Sequence, residues 1–137
     1  MSNNWPKDMK DMASKYKIQD AVDKLNKTEL RSFLNFRVRF IEEELNELKE
    51  ASKPMIPIDK EEIVDALIDI CVVAIGTLDL FNIDAHKAWD EVLKANMNKE
   101  VGVKETRPNP IGLPDLIKPE DWKAPDHTGN YGKLSGL

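Results

Sequence analysis

The sequence predicts an all-α protein, a helical bundle of four to five helices followed by an irregular, proline-rich C-terminal arm. Apolar residues recur every three or four positions between Met9 and Leu93, and no segment shows the strict alternation typical of a strand. Five of the eight prolines and four of the six glycines lie after residue 102. We therefore expect a helical domain over residues 1–102 and an arm over residues 103–137, packed on that domain or on a neighbouring subunit.

The first half of the chain predicts two helices. A short helix is expected from Pro6 to Tyr16, where apolar side chains have helical spacing. Thr28 is the predicted N-cap of a longer helix. Its apolar residues, three or four positions apart, are Leu30, Leu34, Val38, Ile41, Leu45 and Leu48. Pro54 and Pro57 end this helix and leave a short connection over residues 52–58.

The third predicted helix follows an acidic capping box formed by Asp59 and Glu62. It runs from Ile63 to Leu80 and is almost entirely apolar from Ile70 to Ile75. Because a helix that is hydrophobic on all sides needs cover on all sides, we expect much of it to be buried.

The fourth predicted helix begins after Asp84, which can serve as its cap. It extends to about Lys99, and Gly102 lies just beyond the predicted end, where glycine commonly terminates a helix. Helices joined by such short connections favour a bundle.

Composition and charge exclude several classes of function. No apolar run approaches the roughly 20 residues of a membrane span, and the N-terminal residues lack the layout of a secretory signal. The single cysteine, Cys71, cannot form an intrachain disulfide, which is consistent with a reducing cytoplasm. A net charge of −5 argues against nucleic-acid binding, which normally uses a basic face. We expect a cytoplasmic protein that binds neither membranes nor nucleic acids.

Paired acidic residues lie on the second and third predicted helices. Glu44 and Glu47 are one turn apart, separated by roughly 60° around the helix axis. Glu62 and Asp65 repeat this spacing on the next helix, and Asp69 follows one turn later. Each pair borders an apolar stripe. Antiparallel packing through these stripes would bring the two pairs together at the margin of one interface.

Several carboxylates at close range repel one another unless a cation neutralises them or their pKa values rise. A set of oxygen ligands without His or Cys favours Mg²⁺, with Mn²⁺ second. Di-iron sites use Glu-x-x-His pairs, and neither His86 nor His127 follows a Glu at that spacing. The alternative is that the acids are ordinary solvated residues. The second pair and Asp69 favour a metal site, because they interrupt an otherwise apolar helix.

At these residues the chain resembles the MazG-like all-α nucleotide pyrophosphohydrolase superfamily. The signature of that superfamily is EExxE, followed after a short gap by ExxD. The sequence contains Glu43, Glu44 and Glu47, then 14 intervening residues, then Glu62 and Asp65. Every position of the signature is filled.

The resemblance extends to the phosphoribosyl-ATP pyrophosphohydrolase-like branch. Members of that branch end a helix in a segment like Ser-Asn-Met-Ser-Lys, and a Lys-Pro-x-x-Trp segment follows. The counterparts here are Ala-Asn-Met-Asn-Lys at residues 95–99 and Lys-Pro-Glu-Asp-Trp at residues 118–122. Ala95 and Asn98 replace the two serines, which leaves Asn96 and Lys99 in place.

The resemblance implies Mg²⁺-dependent hydrolysis between the α and β phosphates of a nucleoside triphosphate, which releases a nucleoside monophosphate and pyrophosphate. The implied metal ligands are Glu44, Glu47, Glu62 and Asp65. Glu43 is the candidate base or a group that orients a ligand, and Asp69 is an orienting group or an extra ligand.

Three further residues are candidates for substrate binding under this resemblance. Lys94 and Lys99 can hold phosphates as point charges, and Asn96 can bond the nucleotide. Alternatively, the lysines only complement the helix dipole and the asparagine caps the helix. Trp122 is either an anchor for the arm or a lid that stacks on the base.

Two other functions are compatible with the sequence. One is phosphoribosyl-ATP hydrolysis, which uses the same metal on a larger substrate. The other is a non-catalytic helical interaction module whose acids bind a metal only for stability, or bind none.

A homodimer or homotetramer is expected for two reasons. The apolar helix from Ile63 to Leu80 has more hydrophobic surface than a few short helices can cover. The resemblance also implies dimers or dimers of dimers. In such an assembly the arm can lie across a neighbouring subunit, with Trp122 as its anchor.

Overall fold

The computed structural model describes residues 2–54 and 57–137. Within these residues the chain forms five α-helices and one two-stranded antiparallel sheet. The helices are α1 (Trp5–Lys15), α2 (Ile18–Asp23), α3 (Lys27–Ala51), α4 (Lys60–Leu80) and α5 (Ala85–Met97). The prediction of an all-α helical bundle is confirmed. Residues 55 and 56 of the predicted connection lie outside the described residues.

The first helix matches its prediction within one residue at each end. Asn4 caps α1 by accepting a hydrogen bond from the Lys7 backbone N–H at 3.2 Å. The chain then turns at Lys17, whose φ of 57° is left-handed, and enters α2. Helix α2 was not predicted, because six residues are too few to show helical periodicity.

The prediction that Thr28 caps the long helix is wrong. Asn26 caps α3, and its side chain accepts a hydrogen bond from the Glu29 backbone N–H at 2.9 Å. The Glu29 carboxylate in turn accepts one from the Asn26 backbone N–H at 2.9 Å. This reciprocal box needs an acid three residues after the cap, and Arg31 is the residue three after Thr28.

Asp59 caps α4 as predicted, because its side chain accepts a hydrogen bond from the Glu62 backbone N–H at 3.1 Å. The predicted capping box is only half formed, since the Asp59 backbone N–H donates to the Ala51 carbonyl at 3.1 Å and not to Glu62. The fifth helix begins directly after Asp84 but ends at Met97, two residues before the predicted end. Gly102 does not terminate this helix and lies in a strand.

The described chain divides into two compact units, Met1–Ala85 with Tyr131–Leu137, and His86–Asn130. In the first unit α4 packs against both α3 and α1. Its buried core consists of Ala13, Val22, Leu30, Leu80 and Phe81. The division into a catalytic domain and an arm after residue 102 stays a prediction.

The C-terminal residues return to this core. The Lys133 backbone N–H donates to the Phe81 carbonyl at 2.7 Å, and Lys133 Nζ pairs with Asp23 at 2.8 Å. Gly132 has a φ of +52°, and a Cβ there would lie 2.0 Å from the Phe81 carbonyl oxygen. Only glycine fits this approach. The end of the predicted arm is therefore ordered against α4.

The second unit contains a short sheet that the sequence analysis did not predict. Strand β1 (Glu100–Gly102) pairs antiparallel with β2 (Asp115–Ile117). Strands of three residues are too short to show alternation. A Cβ on Gly102 would lie 2.6 Å from Ile117 Cδ1, so this glycine leaves room for the Ile117 side chain of the neighbouring strand. The arm is thus less irregular than predicted.

The prediction that α4 is largely buried holds for only part of the helix. Its buried residues are Ala66, Val73, Gly76 and Leu80. Val64, Leu67 and Ile68 are 62%, 48% and 49% exposed, and they form an uncovered apolar face. No helix within residues 2–54 and 57–137 is long and apolar enough to cross a lipid bilayer.

Candidate metal and nucleotide site

The order of the contacts between α3 and α4 shows that the two helices run in opposite directions. In the first half of α3, Arg37 Nε donates to Thr77 Oγ1, near the end of α4, at 2.9 Å. Further along α3, Glu44 interacts electrostatically with Asp69, and Glu47 does so with Glu62. The helices therefore pack antiparallel, which brings the paired acids of α3 beside those of α4.

Glu44 lies deeper in this interface than its predicted place at the margin of the core. The residue is 8% exposed, and its Oε2 has no hydrogen-bond partner among the described residues. Burial and the neighbouring Glu47 raise the pKa of Glu44 to about 6, with smaller contributions from Asp69 and Glu43. A buried carboxylate with a free oxygen is costly unless a proton or a cation compensates it.

Glu62 lies in the same electrostatic environment. Partial burial raises its pKa, and repulsion by Glu47 and Asp65 adds to the effect. Coulomb interactions weaken with distance, so their presence between α3 and α4 shows that the acids form one cluster. The structure thus brings Glu44 and Glu47 of α3 within electrostatic range of Asp69 and Glu62 of α4, while Asp65 interacts with Glu62 on its own helix.

The cluster fits a hard divalent cation by its chemistry. All its donors are carboxylate oxygens, and Glu44 Oε2 is buried without a partner in the described chain. No group of three or more His, Cys, Asp or Glu side chains within residues 2–54 and 57–137 is already arranged to hold a metal ion. The assignment of Glu44, Glu47, Glu62 and Asp65 as ligands stays a prediction.

An open cleft of about 830 Å³ adjoins the acidic cluster. One face of α3 lines it, with residues three or four positions apart. These α3 residues are Arg39, Glu42, Glu43, Asn46, Glu47, Glu50 and Ala51. Asp59 and Glu62 line it from the start of α4. Glu43, the predicted base, therefore faces the same space as two of the predicted ligands.

Arg39 is a candidate that the sequence analysis missed. It is the only basic residue among the described residues that line the cleft. No ion pair joins it to an acid within the described chain. The sequence feature that could have identified Arg39 is its position four residues before Glu43, because that spacing places both residues on one helix face.

The predicted substrate-binding residues lie in the second unit, at the end of α5 and just after it. Lys94 lines a separate cavity of about 470 Å³, together with Asn98 and Trp122. Lys99 Nζ lies 5.6 Å from the centre of the Trp122 ring. Asn96 is exposed. Substrate roles for Lys94, Asn96 and Lys99 stay predictions.

Trp122 is an anchor within the second unit. Its Nε1–H donates to the Ala95 carbonyl of α5 at 2.7 Å. Lys118 Nζ lies 4.7 Å from its ring centre, and Lys99 also contacts the ring. Because the indole N–H and the ring are already engaged, the side chain holds the segment after β2 against α5.

A helical bundle in which an EExxE helix packs against an ExxD helix defines the class of MazG-like all-α nucleotide pyrophosphohydrolases. A family model described as phosphoribosyl-ATP pyrophosphohydrolase matches residues 15–96, which include the acidic cluster, Lys94 and Asn96. Because the match covers more than half of the chain, the chain belongs to this family and is a pyrophosphohydrolase, a hydrolase of phosphoanhydride bonds. Comparison with curated proteins and with solved structures found no match.

Proposed function

We propose that the protein is a Mg²⁺-dependent nucleoside triphosphate pyrophosphohydrolase that converts (d)NTP to (d)NMP and pyrophosphate. The observation that carries this proposal is Glu44, a buried carboxylate with an unpartnered oxygen inside an acidic cluster. Such a cluster is unfavourable on its own, and a divalent cation relieves it. The adjoining cleft of about 830 Å³ is large enough to admit a nucleotide.

In this proposal Glu44 and Glu47 on α3 and Glu62 and Asp65 on α4 hold the cation. When bound, Mg²⁺ supplies positive charge that neutralises phosphate oxygens. Mn²⁺ suits the same oxygen ligands. Asp69 orients Glu44, or serves as an extra ligand, because it is one turn from Asp65 and interacts with Glu44.

Glu43 is the proposed general base, because it lines the cleft beside Glu47. Its carboxylate takes a proton from the attacking water. The water oxygen bonds to the α phosphorus, and the bond from that phosphorus to the oxygen bridging to the β phosphate breaks. Pyrophosphate leaves with that bridging oxygen.

Basic residues complete the proposed substrate contacts. Arg39 binds oxygens of the departing β and γ phosphates, since a guanidinium without an ion-pair partner in the described chain lines the same cleft. We keep Lys94 and Lys99 as phosphate-binding candidates and Asn96 as a candidate for contact with the nucleotide.

The free thiol of Cys71 supports our proposal that the protein works in the cytoplasm.

Phosphoribosyl-ATP hydrolysis is the second candidate function, and the description of the matching family favours it. Membership of an enzyme family argues against a non-catalytic interaction module. Turnover of deoxynucleoside triphosphates and of phosphoribosyl-ATP should be compared at equal Mg²⁺ concentration. We expect a higher kcat/KM for at least one triphosphate, and a preference for phosphoribosyl-ATP over every triphosphate would select the second candidate.

We also propose that the protein assembles as a homodimer or homotetramer. The uncovered apolar face of α4, at Val64, Leu67 and Ile68, supports this proposal. Contiguous exposed apolar surface of this kind is costly in water, and a symmetric partner buries it.

A further inference from the structure

Arg37 links α3 to α4 through two hydrogen bonds. Its Nε donates to Thr77 Oγ1 at 2.9 Å, and its Nη2 donates to the Val73 carbonyl at 3.0 Å. The two acceptors lie one turn apart on α4, and Thr77 Oγ1 itself donates to the Val73 carbonyl at 2.6 Å. A planar guanidinium that meets two acceptors at once fixes both the distance and the sliding position between two helices.

The surroundings of Arg37 accommodate its guanidinium without a counter-ion. The residue is half-buried, and no carboxylate of the described chain forms an ion pair with it. Its guanidinium carbon lies 5.5 Å from the centre of the Phe40 ring. Gly76 leaves the necessary space, because a Cβ there would lie 3.0 Å from Nη2. Partial burial of a charge without a counter-ion costs free energy. Stability alone therefore does not account for this contact.

The contact lies on the same helix faces as the acidic cluster. Arg37 precedes Glu44 by seven residues, which is two turns, or roughly 10.5 Å along α3. On α4, Val73 follows Asp69 by four residues, which is one turn. Because the helices are antiparallel, holding Arg37 opposite Val73 and Thr77 holds Glu44 beside Asp69.

We infer that Arg37 is a positioning residue, which sets the register of α3 against α4 and thereby the spacing of Glu44 and Glu47 from the acids of α4. This inference rests on the proposed role of those acids as metal ligands. Sliding one helix by a single residue moves its carboxylates by about 1.5 Å. Metal–oxygen distances vary by only about 0.2 Å within one site, so a slide of that size is more than the site tolerates.

The test is Mn²⁺ affinity, measured on the full chain by the electron paramagnetic resonance signal of free Mn²⁺. Arg37→Gln removes the guanidinium, and we expect its Mn²⁺ affinity to fall at least about tenfold. Arg37→Lys keeps the charge but loses the two-point contact, so it should restore only part of the affinity. Gly76→Ala reaches the same contact from α4 by displacing Nη2, and it should weaken binding even if Arg37→Gln does not fold.

Leu30→Ala is the matched control, because Leu30 belongs to the buried core of the same unit and precedes Arg37 by seven residues, which is two helical turns. It should lower the unfolding midpoint at least as much as the Arg37 variants do, yet leave Mn²⁺ affinity within about twofold. Equal loss of affinity in Leu30→Ala would overturn the positioning role and leave only stability. Normal Mn²⁺ affinity in folded Gly76→Ala and Arg37→Lys would also overturn it, whereas failure of the wild type to bind Mn²⁺ would overturn the proposed metal site as well.

Discussion

Glu44 on α3 and Asp69 on α4 repel each other across the interface of the two helices. This repulsion adds to burial and to the effect of Glu47, and together they raise the pKa of Glu44 to about 6. The helix interface that stabilises the bundle therefore also contains an unfavourable cluster of like charges. Proteins tolerate such clusters chiefly where binding or catalysis uses them.

The first prediction concerns the proposed metal ligands. Glu47→Gln or Asp65→Asn should lower pyrophosphate release by about 100-fold or more, because each removes a charged oxygen ligand. Without Mg²⁺, each variant should unfold at the same or a higher temperature than the wild type, since one repelling charge is gone. Activity and circular dichroism melts measure the two effects.

Glu61→Gln is the matched control for these variants. Glu61 is exposed on α4 next to Glu62, and it is not among the residues that line the cleft. Its activity should stay within about twofold of the wild type. A fully active Glu47→Gln protein would rule out Glu47 as a ligand.

The second prediction concerns pH and metal-free stability. Folding raises the pKa of Glu44 from its ordinary 4.5 to about 6, so the folded protein holds this proton more tightly than the unfolded chain does. The contribution to stability is therefore fully present below pH 4.5 and is lost as the pH rises through about 6. The raised pKa of Glu62 acts in the same direction.

Melting temperatures of the wild type and Glu44→Gln, measured in a chelator between pH 4.5 and pH 7, isolate this effect. The wild type should lose stability relative to the variant across this range. Asp23 and Asp115 do not interfere, because their lowered pKa values act only at more acidic pH. A difference that does not change with pH would contradict the environment described for Glu44.

The helices and the acidic pairs were largely predictable from the sequence. Helical periodicity and N-caps depend on residues that are close in the sequence, so Asp59 correctly predicted the start of α4. The three-residue strands and α2 were not predictable, because such short segments carry no periodic signal. The exposure of Leu67 also could not be foreseen, since periodicity indicates which residues share a face and not whether a neighbour covers it.

At the site too, the spacing of residues predicts a shared helix face but not its burial. The spacing of Glu44 and Glu47 predicts one helix face, and in the structure these two residues interact electrostatically with Asp69 and Glu62. The sequence does not reveal that Glu44 is buried, because burial depends on how closely α3 and α4 pack. The hydrogen bonds of Arg37 to α4 and the place of Arg39 in the cleft were likewise hidden, since arginine on a helix is usually solvated.

The third prediction concerns Arg39. Arg39→Gln should raise KM for a triphosphate by about tenfold and weaken inhibition by pyrophosphate, because a charged hydrogen bond to phosphate is lost. Mn²⁺ affinity should not change, since Arg39 is not a ligand. Lys49→Gln is the control, because Lys49 is exposed on the same helix and does not line the cleft. An unchanged KM in Arg39→Gln would remove Arg39 from the substrate site.

The fourth prediction concerns assembly through α4. Ile68→Glu places a charge in the uncovered apolar face and should convert the proposed oligomer to monomers at micromolar concentration. Ile111→Glu changes a side chain that is 76% exposed in the second unit, and it should leave the oligomer intact. Light scattering distinguishes the two results. A wild type that is fully active as a monomer would overturn the proposed assembly.

The central claim is most directly tested by pyrophosphate release from a panel of nucleoside and deoxynucleoside triphosphates, with and without Mg²⁺, in ¹⁸O-labelled water. We predict Mg²⁺-dependent formation of a nucleoside monophosphate that carries the label, together with unlabelled pyrophosphate, because water attacks the α phosphorus. Orthophosphate and diphosphate as the primary products, or the absence of Mg²⁺-dependent pyrophosphate release from every nucleotide of the panel, would contradict the claim.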